Sequence, residues 1–180
     1  MTSSIKIMTL CTGNVARSVM LGYMFTSLAE ANGLDWSIRT AGTHVIEGSA
    51  MSARTRDALL TLPDLGEHRY GSHRSHQITA QDVSWADVIV TAEASHVNFV
   101  RANFDDGVEK TVLLGQFLLE APLDAPFFEQ VRVVAELVPE EDFDVIDPAG
   151  GNQDVYDACA TQLWAMALVF LTLVDSEDLV

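Results

Sequence analysis

The sequence predicts an α/β fold, a parallel sheet with helices on both faces. Two observations carry this reading. Short apolar runs ending at glycine or polar turns alternate with segments whose apolar residues recur at intervals of three and four. Between them lies no repeat, low-complexity tract or linker, so the alternation reads as one layered unit over residues 1–180. With 180 residues and a hydrophobic fraction of 48%, the chain can bury a full core, at roughly 150 residues per domain.

The elements follow in order. Ile5 to Leu10 is a buried strand that ends at a tight turn, Cys11-Thr12-Gly13-Asn14. From Arg17 the period changes to that of a helix through Met20, Leu21, Met24, Phe25, Leu28 and Ala31, with Asn32-Gly33 as its stop. Trp36 to Thr40 alternates as a second strand, and Ser49 to Leu62 reads as a helix broken at Pro63. Gly71 to Ser75 is loop, and Thr79 caps a short helix to Ser84. Asp87 to Thr91 is the third strand, Ser95 to Phe104 a helix, and Thr111 to Leu114 the fourth strand, ending before Gly115. Pro122, Pro126 and Pro139 punctuate a region with one helix, Phe127 to Leu137. The apolar run from Leu163 to Val174 is 12 residues long. A spanning helix needs about 20, so the run is read as a buried C-terminal helix and no membrane span is expected.

Charge narrows the partners. Ten basic against 26 acidic residues give a net charge of −16, which disfavours nucleic acid and anionic membrane surfaces. Two cysteines, Cys11 and Cys159, are too few for a disulfide framework or a four-thiolate zinc site. The first residues carry no basic segment followed by an apolar one, so a cytoplasmic setting is expected.

In an open parallel sheet, ligands bind beyond the carboxyl ends of the strands. The first such place holds Cys11-Thr12-Gly13-Asn14-Val15-Ala16-Arg17-Ser18. A cysteine and an arginine six apart mean little alone, but Gly13, Asn14 and Ser18 between a strand and a helix make the signal specific. Residues curling there can aim successive N–H groups of Thr12, Gly13, Asn14, Val15 and Ala16 at one centre, a nest for a phosphate-sized anion at a helix N-terminus. Arg17 offers a planar fork for two phosphoryl oxygens. The same positive field favours a thiolate at Cys11. Gly13 permits tight backbone geometry, the Asn14 amide can fix the loop, and the Ser18 hydroxyl can reach the Cys11 sulfur. A proton donor opposite the nucleophile is also required, and Asp147 in the loop-like segment 144–151 is a candidate among several acids. Glu140 to Asp142 read as a solvated acidic run. Five scattered histidines without paired cysteines give no zinc pattern, and His73 is read as a structural histidine.

The loop, with Thr40-Ala41-Gly42-Thr43, the stretch His73 to Thr79, Ala86 to Val90 and Asp147-Pro148, resembles the low-molecular-weight protein tyrosine phosphatase family, in the family's order and over nearly the whole chain. The resemblance implies a four-stranded parallel sheet, a phosphocysteine intermediate, and no metal or cofactor. It makes Cys11 the nucleophile, Arg17 the phosphoryl ligand and Asp147 the general acid. Asn14, Ser18, Thr40 and His73 match the network that shapes the loop. The implied substrate is a phosphorylated protein or small aryl phosphate, with inorganic phosphate as product.

Several positions depart from the family. Val19 follows Ser18 where a proline is usual, Ala149-Gly150-Gly151 follow Asp147-Pro148 where aromatics are frequent, Ile46 replaces another wall residue often aromatic, and Glu93 stands for an aspartate. Missing aromatic walls predict weak, unselective binding of aryl groups. Two alternatives share the scaffold: a thiol-coupled arsenate reductase, disfavoured because Val15 and Ala16 fill the loop and Cys159 is the sole other thiol, and a non-catalytic phosphate-binding regulatory module.

Overall fold

The structure is a computed structural model and describes residues 4–175. Four strands, β1 (Ile5–Cys11), β2 (Trp36–Gly42), β3 (Val88–Thr91) and β4 (Thr111–Leu113), form one sheet in the order β2-β1-β3-β4. All pairings are parallel. Central β1 is flanked on both sides, which explains its nearly unbroken apolar run: Ile7, Met8 and Thr9 have no exposed surface. The chain leaves β1 toward one edge and resumes beyond it in β3, so the loops after these two strands diverge. A crevice opens at that point. Cys11 ends β1 and Glu93 follows β3, so both lie at its mouth.

Alternation along β1 divides the core. Ile5, Ile7 and Cys11 face α1 (Arg17–Asn32), α2 (Ala53–Leu60), α5 (Leu114–Glu120), α6 (Phe127–Ala135) and α7 (Gln153–Asp175). Met8 and Leu10 face the other way, toward α3 (Ala80–Trp85) and α4 (Ala94–Asn103). Helices thus cover both faces. Helix α1 ends as expected: Gly33 takes φ 65°, and the Leu34 N–H donates to the Ala29 carbonyl at 2.9 Å. Thr79 caps α3 reciprocally with Asp82.

Several elements differ from expectation. The helix expected from Ser49 begins only at Ala53, because the backbone of residues 49–52 is bonded elsewhere. The Ser49 carbonyl accepts from the Ser75 N–H at 2.7 Å, and the Ser52 N–H donates to the Val15 carbonyl at 3.2 Å. The fourth strand stops at Leu113, and α5 follows without a loop. Gly115 lies inside that helix rather than ending a strand. A Cβ there would come within 2.5 Å of the Phe143 carbonyl oxygen, so glycine is required for close approach.

The C-terminal helix α7 starts at Gln153, ten residues before the apolar run. Over Gln153–Val174 it is long and apolar enough to cross a membrane by length and composition, which the shorter run did not show. In this fold its residues Tyr156, Cys159, Ala160, Leu163, Ala167 and Phe170 form a buried stripe at helical spacing. The Phe170 ring lies 4.7 Å from Phe25, 5.6 Å from Phe117 and 5.7 Å from Phe127, tying α7 to α1, α5 and α6. Each such pair contributes about 0.5–1.5 kcal/mol beyond burial.

Candidate active site

Residues 12–16 turn from β1 into α1 with every expected loop residue in place. Asn14 is the one described non-glycine residue with positive φ, 52°, a conformation asparagine tolerates better than most. It is fully buried and works as a hub. Its Nδ2 donates to Ser18 Oγ at 2.8 Å and Thr40 Oγ1 at 2.9 Å. Its Oδ1 accepts the His76 N–H at 2.9 Å, and its carbonyl accepts from His73 Nε2 and Ser75 Oγ, both at 2.9 Å. The bond to a carbonyl requires the proton of His73 on Nε2. Burial pushes the His73 pKa down, in keeping with a neutral ring.

The neighbouring carbonyls are also held from outside. That of Cys11 accepts from the Thr43 N–H, that of Thr12 from the His44 N–H, both at 2.9 Å, and that of Ala16 from the Met20 N–H at 2.8 Å. Val15 is held twice, by the Ser52 N–H and by Thr55 Oγ1 at 2.9 Å. Among the described residues the amides of Gly13 to Ser18 donate to no protein acceptor. A loop with its carbonyls tied outward and its amides free is an anion nest. Gly42 sets its tightness, since a Cβ there would lie 2.4 Å from the Thr12 carbonyl oxygen. Gly42→Ala is expected to leave the sheet intact yet weaken phosphate binding at least tenfold, read by calorimetric titration.

At the centre, Cys11 is 3% exposed and its Sγ lies 2.9 Å from Ser18 Oγ. Ser18 Oγ already accepts from Asn14, which leaves its own proton for the sulfur. Arg17 is 2% exposed. Its Nη1 donates to the Glu93 carboxylate and to the Val145 carbonyl at 2.8 Å, and its Nη2 pairs with Asp147 Oδ2 at 3.0 Å. Among the described residues its Nε has no partner, and Nε with Nη2 forms the side-on edge suited to two phosphoryl oxygens. Asp147 is 43% exposed in its side chain. Its Oδ1 accepts the Ala149 N–H at 3.0 Å, which fixes the turn after Pro148. Asp144 anchors the same segment to the start of α4, accepting the Ala94 N–H at 2.7 Å.

Cys11, Arg17 and Asp147, 136 positions apart at the extremes, thus meet at the β1/β3 crevice. Sequence reasoning missed three contributors. The Ser75 hydroxyl and the His76 amide act on Asn14; a backbone amide leaves no signature in residue type, and the serine meets a carbonyl 61 positions away that only the fold brings near. The third is His96, 2% exposed. Its Nδ1 accepts the Glu93 N–H at 3.1 Å and its Nε2 lies 2.9 Å from Thr12 Oγ1. Glu93 and His96, three apart at a helix start, have the spacing of a capping box, a signal that was present in the sequence. Cys159, by contrast, is 5% exposed, and burial pushes its thiol up to about 11. A buried, protonated thiol makes a poor relay partner.

Burial pushes His96 down to about 4, with Arg17 and His44 acting in the same direction and Glu93 and Asp147 opposing. The sign follows. The unfolded imidazole titrates near 6.5 and the folded one near 4, so on acidification the unfolded chain takes up the proton first. The stability is present above pH 6.5 and lost as pH falls towards 4, by about 3 kcal/mol at most. His76, held by Glu47 and Asp82 and shifted upward, contributes the opposite slope. In His96→Phe, urea unfolding at pH 7 and pH 4.5 is expected to differ less than in the unmodified protein. An unchanged difference would remove His96 as the cause.

The sequence and the fold both have known relatives. A protein-arginine-phosphatase from Geobacillus stearothermophilus is 26% identical over 158 residues, covering 88% of each chain. A low molecular weight protein-tyrosine-phosphatase from Streptomyces coelicolor is 26% identical over 178 residues, covering 96% of this chain and 94% of the other. The fold is shared by the crystal structure of a low molecular weight protein tyrosine phosphatase from T. tengcongensis, with TM-score 0.76 and 23% identity over 94% of this chain and 99% of that one. The sequence model named for the low molecular weight phosphotyrosine protein phosphatases matches residues 6–127, which include the nest, Arg17 and Glu93 though not Asp147, and the chain belongs to that family.

Proposed function

We propose that the protein hydrolyses phosphotyrosine-like aryl phosphates through a cysteinyl-phosphate. The observation that carries the reading is the convergence of Cys11 Sγ, the free edge of Arg17 and the Asp147 carboxylate on one amide-lined nest. Cys11 attacks phosphorus as the thiolate, the S–P bond forms, and the P–O bond to the leaving group breaks. The nest amides and Arg17 hold the equatorial oxygens as charge redistributes over them. Asp147 gives its proton to the departing phenoxide. It then takes a proton from the water that attacks phosphorus, releasing inorganic phosphate and the thiolate. A cytoplasmic setting, where thiols stay reduced, suits such a nucleophile.

Substrate class is read from the rim. Ile146, beside Asp147, is 76% exposed, and Ile46, in the loop after β2, is 84% exposed. Taken as rim residues, such exposed apolar side chains suit a ring better than a charged guanidinium. They give it contact without stacking, so binding is weak. The name of the Geobacillus relative, and the carboxylates of Asp147 and Glu93 beside Arg17, favour phosphoarginine as the second reading. Parallel assays on a phosphotyrosine peptide and a phosphoarginine peptide decide it. A kcat/KM at least tenfold higher on phosphoarginine would overturn the aryl reading.

Asp147→Asn is expected to slow hydrolysis of phenyl phosphate about 10²-fold or more, but that of an activated nitrophenyl phosphate by less than about tenfold, because the better leaving group needs less protonation. Equal losses on the two substrates would reduce Asp147 to a loop-shaping role.

A further inference from the structure

We infer that His96 is a positioning residue of the phosphoryl pocket, holding the Thr12 hydroxyl so that its proton is available to an oxygen of the bound phosphoryl group. The inference rests on the nest being a phosphate site, and it adds a side-chain donor to the backbone amides. The steps are chemical. A backbone N–H can only donate, so the Glu93 N–H at 3.1 Å requires a bare lone pair on His96 Nδ1. The proton of the neutral ring is then on Nε2. Nε2 lies 2.9 Å from Thr12 Oγ1 and 3.7 Å from Glu93 Oε2, so the hydroxyl is the nearer acceptor. With one lone pair taken by His96, the Thr12 O–H is left as a donor, and Thr12 shows no other side-chain bond among the described residues. Thr12 directly follows Cys11 and is half-buried at the mouth of the nest.

The arrangement needs a neutral ring. Burial supplies that, pushing His96 to about 4 although the carboxylates of Glu93 and Asp147 face it; Arg17 and His44 complete the charged groups around it. Glu93 also grips Arg17. One imidazole therefore links the residue after the nucleophile to the residue that holds the phosphoryl arginine.

The test is calorimetric titration with inorganic phosphate at pH 7, in the unmodified protein, Thr12→Val, Thr12→Ser, His96→Phe and the Thr12→Val/His96→Phe double variant. Thr12→Val is nearly isosteric and half-exposed, so it keeps the test alive if His96→Phe fails to fold. Loss of one bond to a charged oxygen is expected to weaken phosphate about tenfold in Thr12→Val and equally in His96→Phe. The double variant is expected to be no weaker than either single one, since His96 acts through Thr12. Thr12→Ser, which keeps the hydroxyl, is expected within about twofold of the parent, and long-range nitrogen NMR is expected to show the Nε2–H tautomer at His96. Phosphate bound by Thr12→Val as tightly as by the parent, or additive losses in the double variant, would overturn this role and leave the nest standing. Failure of the parent to bind phosphate would overturn the nest itself.

Discussion

Cys11→Ser is expected to lower turnover of an activated aryl phosphate by at least about 10⁴-fold while phosphate binding stays within a few-fold of the parent. The substitution changes one atom at the end of β1. The Asn14 hub, the outward-held carbonyls and the free amides do not depend on sulfur, so the nest persists. What disappears is the nucleophile. An alcohol needs a base to take its proton, and neither side chain nearest the nucleophile's turn is free to serve, while Asp147 must act as the acid in the same step. Ser18 has its own proton directed at residue 11, and His96 has its one lone pair committed to the Glu93 N–H. Phosphate affinity by calorimetry and turnover by phenolate release separate the two effects. Turnover within tenfold of the parent would mean that another group attacks phosphorus.

Arg17→Lys is expected to cost on the order of 10³-fold in kcat/KM although the formal charge is unchanged. The guanidinium meets four demands in different directions: the Glu93 carboxylate, the Val145 carbonyl, Asp147 and the phosphoryl group. A single ammonium at the end of a flexible stem cannot span them. The loss should fall on kcat and KM together, because the same side chain that binds the phosphoryl oxygens also holds the segment carrying the proton donor. A variant with parental kinetics would show that charge alone is needed.

Much of this arrangement was legible in the residues, and the parts that were not share a physical cause. Strand β1 and helix α1 could be read because burial on both faces of a central strand and a Gly33 stop leave plain patterns. Cys11, Arg17, Asn14 and Ser18 could be read because spacing between a strand and a helix fixes where they point. Thr40 and His73 took their roles from the family resemblance, and the structure places both on Asn14. Helix α5 was hidden because Gly115 is a helix residue selected by contact with Phe143, and only tertiary structure shows that contact. The start of α2 was misplaced because Ser49 and Ser52 spend their backbone groups on Ser75 and Val15. His96 was missed because a buried histidine in a helix usually signals packing, and its partners lie on different strands' loops.

The partners of Asn14 have a consequence for how the chain is made. During synthesis Cys11 and Arg17 emerge among the first residues, yet the side chains and backbone groups that bend the loop come 26 residues after Asn14 at Thr40 and 59 to 62 after it at His73, Ser75 and His76. Glu93 follows, then Val145 and Asp147. Closing contacts over such separations costs entropy that only the assembled sheet repays. A nascent chain halted before residue 73 therefore carries a cysteine and an arginine on an unformed turn, with no cup to activate them. Reactivity is withheld until the fold around it is nearly complete.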